Sequence, residues 1–591
     1  MANNPSGKEI PSIVADFFYG EILEDEVFPF PQFSDAQKET AKMMTDAINT
    51  FAKSSIDSAK LDRDAKIPPE ILKGVAELGL CGLGVPEEYG GLGLDTTLYS
   101  RIFAEIAAID PSVGTTLGAH QSIGYKALLN EGNEEQKKKW LPRLASGEIF
   151  ASFCLTEPGS GSDAYSIKTK ATDNKDGTYT INGQKLWITN AGLATFYSVF
   201  CKTDHVDAQG NKVEKISCFI VEKDMPGISF GEKEDKMGIR ASETRAVYFD
   251  NVKVPASNLI GELGKGFKIA MNVLNTGRLS IGSGAVSGMK MILGLATNQA
   301  KQRKQFGDYI INYGIIQEKL ASIAANCYAT ECIVYMTTGK ITRGMNHFEH
   351  ESAICKVYGS EKLWDSIDKA TQIAAGNAYM KEYPYERIMR DARIHLIFEG
   401  TNEILRIFTA LSGIKGPSDD LKELGKIADV SKALQDPIKS LGVLTNFAKK
   451  RITKQLGTKT LTKVHPDLER HSQKFSHNLK DFAIAVENTI MKYGKSIIGN
   501  ELPQLRIANM TIELYVQLCV LSRTTAILNN KDISDSDKDY VKQLTEMICR
   551  DSQQTFTKNY HRLTSSFDRI IPKVSKHVAE RDGYGLDIID F

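Results

Sequence analysis

A run over residues 394–406, Ile-His-Leu-Ile-Phe-Glu-Gly-Thr-Asn-Glu-Ile-Leu-Arg, sets one carboxylate, Glu399, at the break between an apolar segment and a helix. Gly400 permits an unusual φ, and Thr401 or Asn402 can cap the helix that Ile404, Leu405 and Phe408 continue at helical spacing. Burial against Ile397 and Phe398 would raise the pKa of Glu399 towards that of a general base, and the bend would aim it into a cavity. The plainer reading is an acid that favours the helix N-terminus electrostatically, and from this stretch alone it is the commoner case.

Two further stretches carry groups suited to a flat, polar-edged ligand. Phe153-Cys154-Leu155-Thr156-Glu157-Pro158-Gly159-Ser160-Gly161-Ser162-Asp163 supplies hydroxyls and small residues whose exposed N–H groups can hold a ring carbonyl or a phosphate. Lys185-Leu186-Trp187-Ile188-Thr189-Asn190 adds an aromatic plane and another hydroxyl, which suits stacking and hydrogen bonding of a heteroaromatic ring. No Rossmann GxGxxG accompanies them, so a nicotinamide site of that kind is not supported. In Val113–His120, Gly114 and Gly118 leave one helix face without side chains. That face either packs closely on another helix or walls a narrow apolar tunnel.

These residues need a large scaffold. The chain has 591 residues, too many for one core, and 73 basic against 73 acidic residues give no global argument for a nucleic-acid partner. Nine scattered cysteines without a CxxC pair suggest neither a disulfide framework nor a zinc site, and fit a reducing, cytoplasm-like compartment. The acidic start lacks a signal core or transit pattern, and no unbroken run of 18 apolar residues is present. Helical periodicity dominates to about residue 151, period two governs 152–264, and helical spacing returns over 265–415 and again over 416–591. The expected domains are thus a helical N-terminal domain with a leader (1–151), a small antiparallel β domain, a helical bundle and a C-terminal helical extension. Within the extension, residues 437–466 hold seven basic residues and no acid, with Leu444, Ala448, Ile452 and Leu456 on one stripe. Such a basic amphipathic helix suits either an anionic membrane surface or a solvated face of its own domain.

Six ordered motifs make the chain resemble the acyl-CoA dehydrogenases, and most of all their very-long-chain branch: CLTEPGSGSD (154–163), KLWITN (185–190), NTGRLSIG (275–282), RKQFG (303–307), QIAAGNAYMKEYPYERIMRDARI (372–394) and FEGTNEILR (398–406). The resemblance implies a mainly helical fold with a central β-barrel domain, an FAD cofactor, and α,β-dehydrogenation of long-chain acyl-CoA thioesters. Electrons would pass to an electron-transferring flavoprotein. It makes Glu399 the base that takes the α-proton, with its backbone N–H on the thioester carbonyl. Thr156 and Thr189, with the flanking Phe153, Leu155, Gly161 and Ser162, would hold the flavin, and Trp187 would pack near its ring. Arg303, Phe306, Gln372 to Gly376 and Thr401 to Glu403 would reach the adenosine and pyrophosphate part, partly across a subunit interface. Ser162, Asn275, Arg278 and Gly400 would touch the substrate, and Gly114 and Gly118 would leave the acyl tunnel open.

Some relatives carry the base just before the arginine that matches Arg278. Here that residue is Gly277, which leaves Glu399 as the candidate. Ala374, Ala375 and Ala378 stand where a more glycine-rich stretch is usual. The extension after residue 416 implies a homodimer, because it occupies the surface on which shorter, tetrameric members dock a second dimer. One long relative is a non-catalytic assembly factor of a respiratory complex, and acyl-CoA oxidases share the architecture, so both remain alternatives to the dehydrogenase.

Overall fold

The computed structural model describes residues 10–427 and 460–590, and they form two compact units. One holds Pro31–Asn402; the other joins Pro11–Phe30 to Glu403–Phe591.

In the first unit, short polar residues start the helices that surround the Gly114 stretch. Ser34 and Gln37 form a reciprocal capping box on helix Asp35–Ser55. Asp95 accepts from the N–H groups of Thr97 and Leu98 at 2.8 and 3.0 Å and so starts helix Thr96–Ile109. Asp110 accepts from Ser112 and Val113, both at 2.9 Å, and with Pro111 in the first turn starts helix Pro111–Gly118 immediately afterwards. That helix runs into a π-helical turn, Ala119–Gly124. There the buried His120 accepts from the Ala151 N–H at Nδ1 (3.0 Å), which leaves Nε2–H to donate to the Leu144 carbonyl (3.0 Å).

Eight strands follow: β1 (Ala151–Cys154), β2 (Lys170–Asp173), β3 (Thr178–Thr189), β4 (Phe196–Val206), β5 (Lys212–Glu222), β6 (Ile228–Phe230), β7 (Thr244–Pro255) and β8 (Leu259–Ile260). Their order is β6-β7-β3-β2-β4-β5-β8, with β1 alongside β4. The expectation of an antiparallel domain needs correction, because β1 and β2 both pair with β4 in parallel and the sheet is mixed. Phe196–Cys201 of β4 is buried on both faces, the environment in which parallel pairing is found. The hydrogen-bonded path among the described residues ends at β6 and β8, so these strands show a mixed sheet and not a closed barrel.

The helices Gly266–Gln302, Gly314–Thr342 and Glu349–Ala374 then pack together. At Gly282 an added Cβ would lie 3.1 Å from the Cys355 carbonyl and 3.2 Å from Val334, so this glycine sets how closely the three approach. Gly266–Gln302 is also the one helix among the described residues with the length and apolarity to cross a membrane, and much of it is buried within this unit. All nine cysteines are buried thiols and none forms a disulfide.

The second unit packs helices Glu469–Tyr493, Glu501–Asn529 and Asp535–Thr564 with the segment Pro11–Phe30. Phe17 meets Phe475 edge-on at 6.4 Å, Phe18 meets Phe482 at 5.2 Å, and Ser522 donates to the Val27 carbonyl at 2.6 Å. The leader grouped by sequence with residues 35–151 therefore belongs to this unit, anchored by two fully buried phenylalanines. Of the basic stretch 437–466, residues up to 459 lie outside the described residues. Lys463, near its end, pairs with Asp25, and its N–H donates to Glu24 at 2.6 Å.

Candidate active site

Glu399 and Gly400 take consecutive positive φ values, +60° and +92°, between a short 3-10 turn (Ile394–Leu396) and helix Asn402–Ile427. Glycine adopts this conformation freely; for glutamate it stores strain of about 1–3 kcal/mol, which surrounding contacts must offset. Three do so. Arg278 Nε donates to the Glu399 carbonyl at 3.1 Å, and its Nη1 donates to Asn275 Oδ1 at 2.8 Å. Lys356 Nζ donates to the Gly400 carbonyl at 2.8 Å.

The turn aims the Glu399 side chain inward. The residue as a whole is half-exposed, but Oε2 is shut off from solvent and accepts no hydrogen bond. The carboxyl lies against the bare backbone of Gly277, where an added Cβ would come within 2.8 Å of Oε2. Burial pushes the carboxyl up to about 7, and the positive charges of Arg278 and Lys356 hold it from rising further. The result is a carboxylate whose proton affinity suits proton transfer near neutral pH.

The structure also joins the two stretches singled out for a flat ligand. Lys185, wholly buried, donates to the Leu155 carbonyl at 3.0 Å and to Glu157 Oε1 at 2.8 Å. Glu157 additionally accepts from the N–H groups of Lys168 (2.6 Å) and Thr169 (3.0 Å), and the Leu186 N–H donates to the Thr156 carbonyl at 2.9 Å. Strand β3 bulges between Lys185 and Ile188, and at that bulge Trp187 has φ +56° and 63% of its surface exposed. Thr156, Trp187 and Thr189 are thus held on one pair of tied segments. Around them Leu155 is buried, Phe153 packs on Phe200 at 4.9 Å, and Gly161 and Ser162 are exposed, with open space above Gly159 and Gly161.

Family models match three consecutive blocks of the chain: the acyl-CoA dehydrogenase N-terminal domain over 38–148, the middle domain over 152–252 and the C-terminal domain over 264–412. A fourth, the ACAD9/ACADV C-terminal domain, matches 466–584. The chain belongs to the acyl-CoA dehydrogenase family. Acyl-CoA dehydrogenases are FAD-dependent oxidoreductases, and this chain is one of them by family. It is 40% identical over 591 residues to the very long-chain specific acyl-CoA dehydrogenase of Rattus norvegicus, covering 98% of this chain and 89% of that protein. A probable acyl-CoA dehydrogenase of Bacillus subtilis is 36% identical over 531 residues, covering 86% of this chain and 84% of that one. Among solved structures, the acyl-CoA dehydrogenase of Bacillus anthracis complexed with FAD is 32% identical with a TM-score of 0.76, covering 93% of this chain and 91% of that one. Butyryl-CoA dehydrogenase of Megasphaera elsdenii is 38% identical with a TM-score of 0.60, covering 64% of this chain and 98% of that one.

Within this dehydrogenase the remaining residues read from sequence are spread over separate elements. Arg303 and Phe306 lie on an exposed hairpin, Phe306 at φ +51° and 97% exposed. Gln372 and Gly376 are exposed where helix Glu349–Ala374 ends, and between them Ala375 holds φ +52°, a conformation that glycine adopts more freely. Thr401 is half-buried and Glu403 exposed at the start of the next helix. Gly114 requires a correction. Its Cβ would lie 2.6 Å from the Ala107 Cα, so it serves close packing on helix Thr96–Ile109 and does not line open space. Gly118 faces the Phe103 ring tip at 3.3 Å, a contact that a side-chain movement can relieve.

Sequence reasoning missed the groups behind the turn. Lys356 and Asn402 are buried and bonded to each other at 2.7 Å, and His395 stacks on Phe398 at 5.4 Å with no partner for Nδ1. Asp391, which accepts from the Ile239 N–H at 2.5 Å, is pushed up to about 7 by burial and by the nearby acids Asp110 and Asp62. The only sequence signal for Lys356 was a lysine inside an otherwise uncharged run, Ser352–Ser360.

Proposed function

We propose that this chain dehydrogenates long-chain acyl-CoA thioesters between the α and β carbons, with Glu399 as the base. The observation that carries this reading is the Glu399 carboxyl itself, sequestered, unbonded at Oε2 and raised to about 7 against a side-chain-free wall at Gly277. The strained turn, the burial and the empty acceptor together favour an acid that does chemistry over one that only binds. Glu399 would take the α-proton at Oε2, and its backbone N–H would donate to the thioester carbonyl as negative charge builds there. FAD, when bound, accepts the hydride from the β-carbon. Thr156 and Thr189 would bond its ring and the exposed Trp187 would cover it; the open space above Gly159 and Gly161 fits a bulky polar cofactor. Arg303, Phe306, Gln372, Gly376, Thr401 and Glu403 would reach its adenosine end, the exposed hairpin doing so from a partner subunit of a homodimer. Ser162, Asn275 and Arg278 would lie along the CoA arm. Electron-transferring flavoprotein is the proposed acceptor, and the basic stretch 437–466 is the proposed contact with anionic lipid.

Anaerobic titration of the FAD-loaded enzyme with acyl-CoA of graded length tests this. Flavin bleaching should favour long chains, with reoxidation by electron-transferring flavoprotein faster than by oxygen. Its rate should climb as pH rises through about 7, because the raised carboxyl must lose its proton before it can accept one. Glu399→Gln should keep FAD and bind acyl-CoA, yet lose reduction by about three orders of magnitude or more; rapid bleaching in that variant would sink the assignment.

A further inference from the structure

Lys356 lies on helix Glu349–Ala374, wholly buried, and both acceptors of its 2.7 and 2.8 Å bonds belong to the segment that follows Glu399. A buried ammonium is retained only where hydrogen bonds compensate its lost hydration. The second acceptor, Asn402, is itself buried and returns its amide to the same helix, donating to Ser360 Oγ and Glu361 Oε1 at 3.1 Å each. The turn is thus sewn to one helix at two points, and neither point touches the Glu399 carboxyl.

We propose that Lys356 is a positioning residue for the base, fixing the left-handed turn through Gly400 and Asn402 and setting its ammonium group behind the Glu399 carboxyl. This rests on Glu399 being the base. The charged and titratable groups around that carboxyl come from three elements. Arg278 on helix Gly266–Gln302 spends two of its donors on the Glu399 carbonyl and Asn275 and is itself near Glu349. Lys356 is the second charge. His395, on the same segment as the base, is pulled to about 4 by burial and by Lys356, so it stays neutral while Glu399 titrates. Glu361 is held through Asn402. Lys356 and Arg278 are therefore the charges that favour the ionised base, and of the two only Lys356 also anchors the start of the following helix.

Two variants separate charge from anchorage. Lys356→Met keeps side-chain length and removes the charge; Asn402→Leu removes the bridging amide and leaves the ammonium. Bleaching by palmitoyl-CoA would be followed across about pH 5 to 9, beside a substrate-free titration of the Glu399 carboxyl band by infrared difference against Glu399→Gln. In Lys356→Met both the acid limb and the carboxyl band should shift upward by about one pH unit. Asn402→Leu should slow bleaching at every pH without moving the limb. A Lys356→Met limb that coincides with wild type, or a uniform fall with no shift, overturns the proposal. Should that variant not fold, Lys356→Arg, which keeps the charge in a bulkier group, should slow bleaching with the limb in place; a moved limb overturns the proposal as well. If Glu399→Gln itself still bleaches, the base assignment has failed. If it is inert while Lys356→Met titrates as wild type, only the role of Lys356 has.

Discussion

Glu399 owes its place to what Gly277 lacks. With Cβ at position 277 only 2.8–3.0 Å from all three carboxyl atoms, a side chain there would force the Glu399 carboxyl out of its present position. Adding Gly277→Glu to the otherwise intact chain should therefore displace Glu399 and lower activity. The exchange Gly277→Glu with Glu399→Gly removes the clash and gives Gly400 a neighbour that adopts positive φ freely. We expect that pair to recover at least about tenfold in bleaching rate over Glu399→Gly alone, read by anaerobic stopped flow. No recovery would mean that a carboxylate on the helix side cannot reach the same proton. A break between an apolar run and a helix marked Glu399 and Gly400 in sequence, but that stretch alone favoured the plainer helix-terminus reading, and only the family resemblance singled out the acid as a base. Lys356 was not legible. It sits among Ala353, Ile354, Val357 and Tyr358 on a helix buried on several sides, where periodicity cannot tell a core lysine from a solvated one.

At the scale of elements, the change of period from helical to two and back placed the sheet between the helices. The parallel pairings of β4 were hidden because partners such as Ala151 and Phe196 are far apart in sequence, and alternation reports which face is buried, not which strand lies alongside. The bulge that turns Trp187 outward left no local mark either, since neither Lys185-Leu186-Trp187-Ile188 nor its partner strand carries a glycine there. The two small residues of helix Pro111–Gly118 looked alike in sequence, and structure separates them. Gly114→Ala forces a methyl into the backbone of Ala107 and should cost about 1–3 kcal/mol of stability, with acyl-chain preference unchanged. At Gly118 an added Cβ meets the tip of Phe103 and, at ordinary contact distance, Ser122 Oγ, so Gly118→Glu should instead move the preference towards shorter chains. Thermal melts beside a chain-length series check both; a profile altered by Gly114→Ala but not by Gly118→Glu would reverse the roles.

Across the whole molecule, the N-terminal segment Pro11–Phe30 and the described residues from Glu403 onward share one compact unit, although Pro31–Asn402 intervenes in sequence. The family blocks begin at residue 38 and resume at 466, so this link falls outside what motif and period reveal. Its physical basis is specific. Helix Asn402–Ile427 carries Gly413 where an added Cβ would stand 2.1 Å from the Phe18 ring, and Gly416 where it would meet the Tyr19 hydroxyl at the same distance. Phe18 fills space that any side chain at 413 would need. Gly413→Ala should thus destabilise the wild-type chain by about 1–3 kcal/mol through overpacking, and Phe18→Ala should cost about 3–5 kcal/mol through the cavity it leaves. Together they should cost clearly less than their sum, because the new methyl enters the vacated space. The measurement is a double-mutant cycle read from hydrogen-exchange protection of helices Glu469–Tyr493 and Glu501–Asn529, with helix Gly266–Gln302 as the reference in the other unit. Strict additivity would mean that Phe18 and Gly413 do not share that space, and Phe18 would then hold the leader through Phe482 and not through helix Asn402–Ile427.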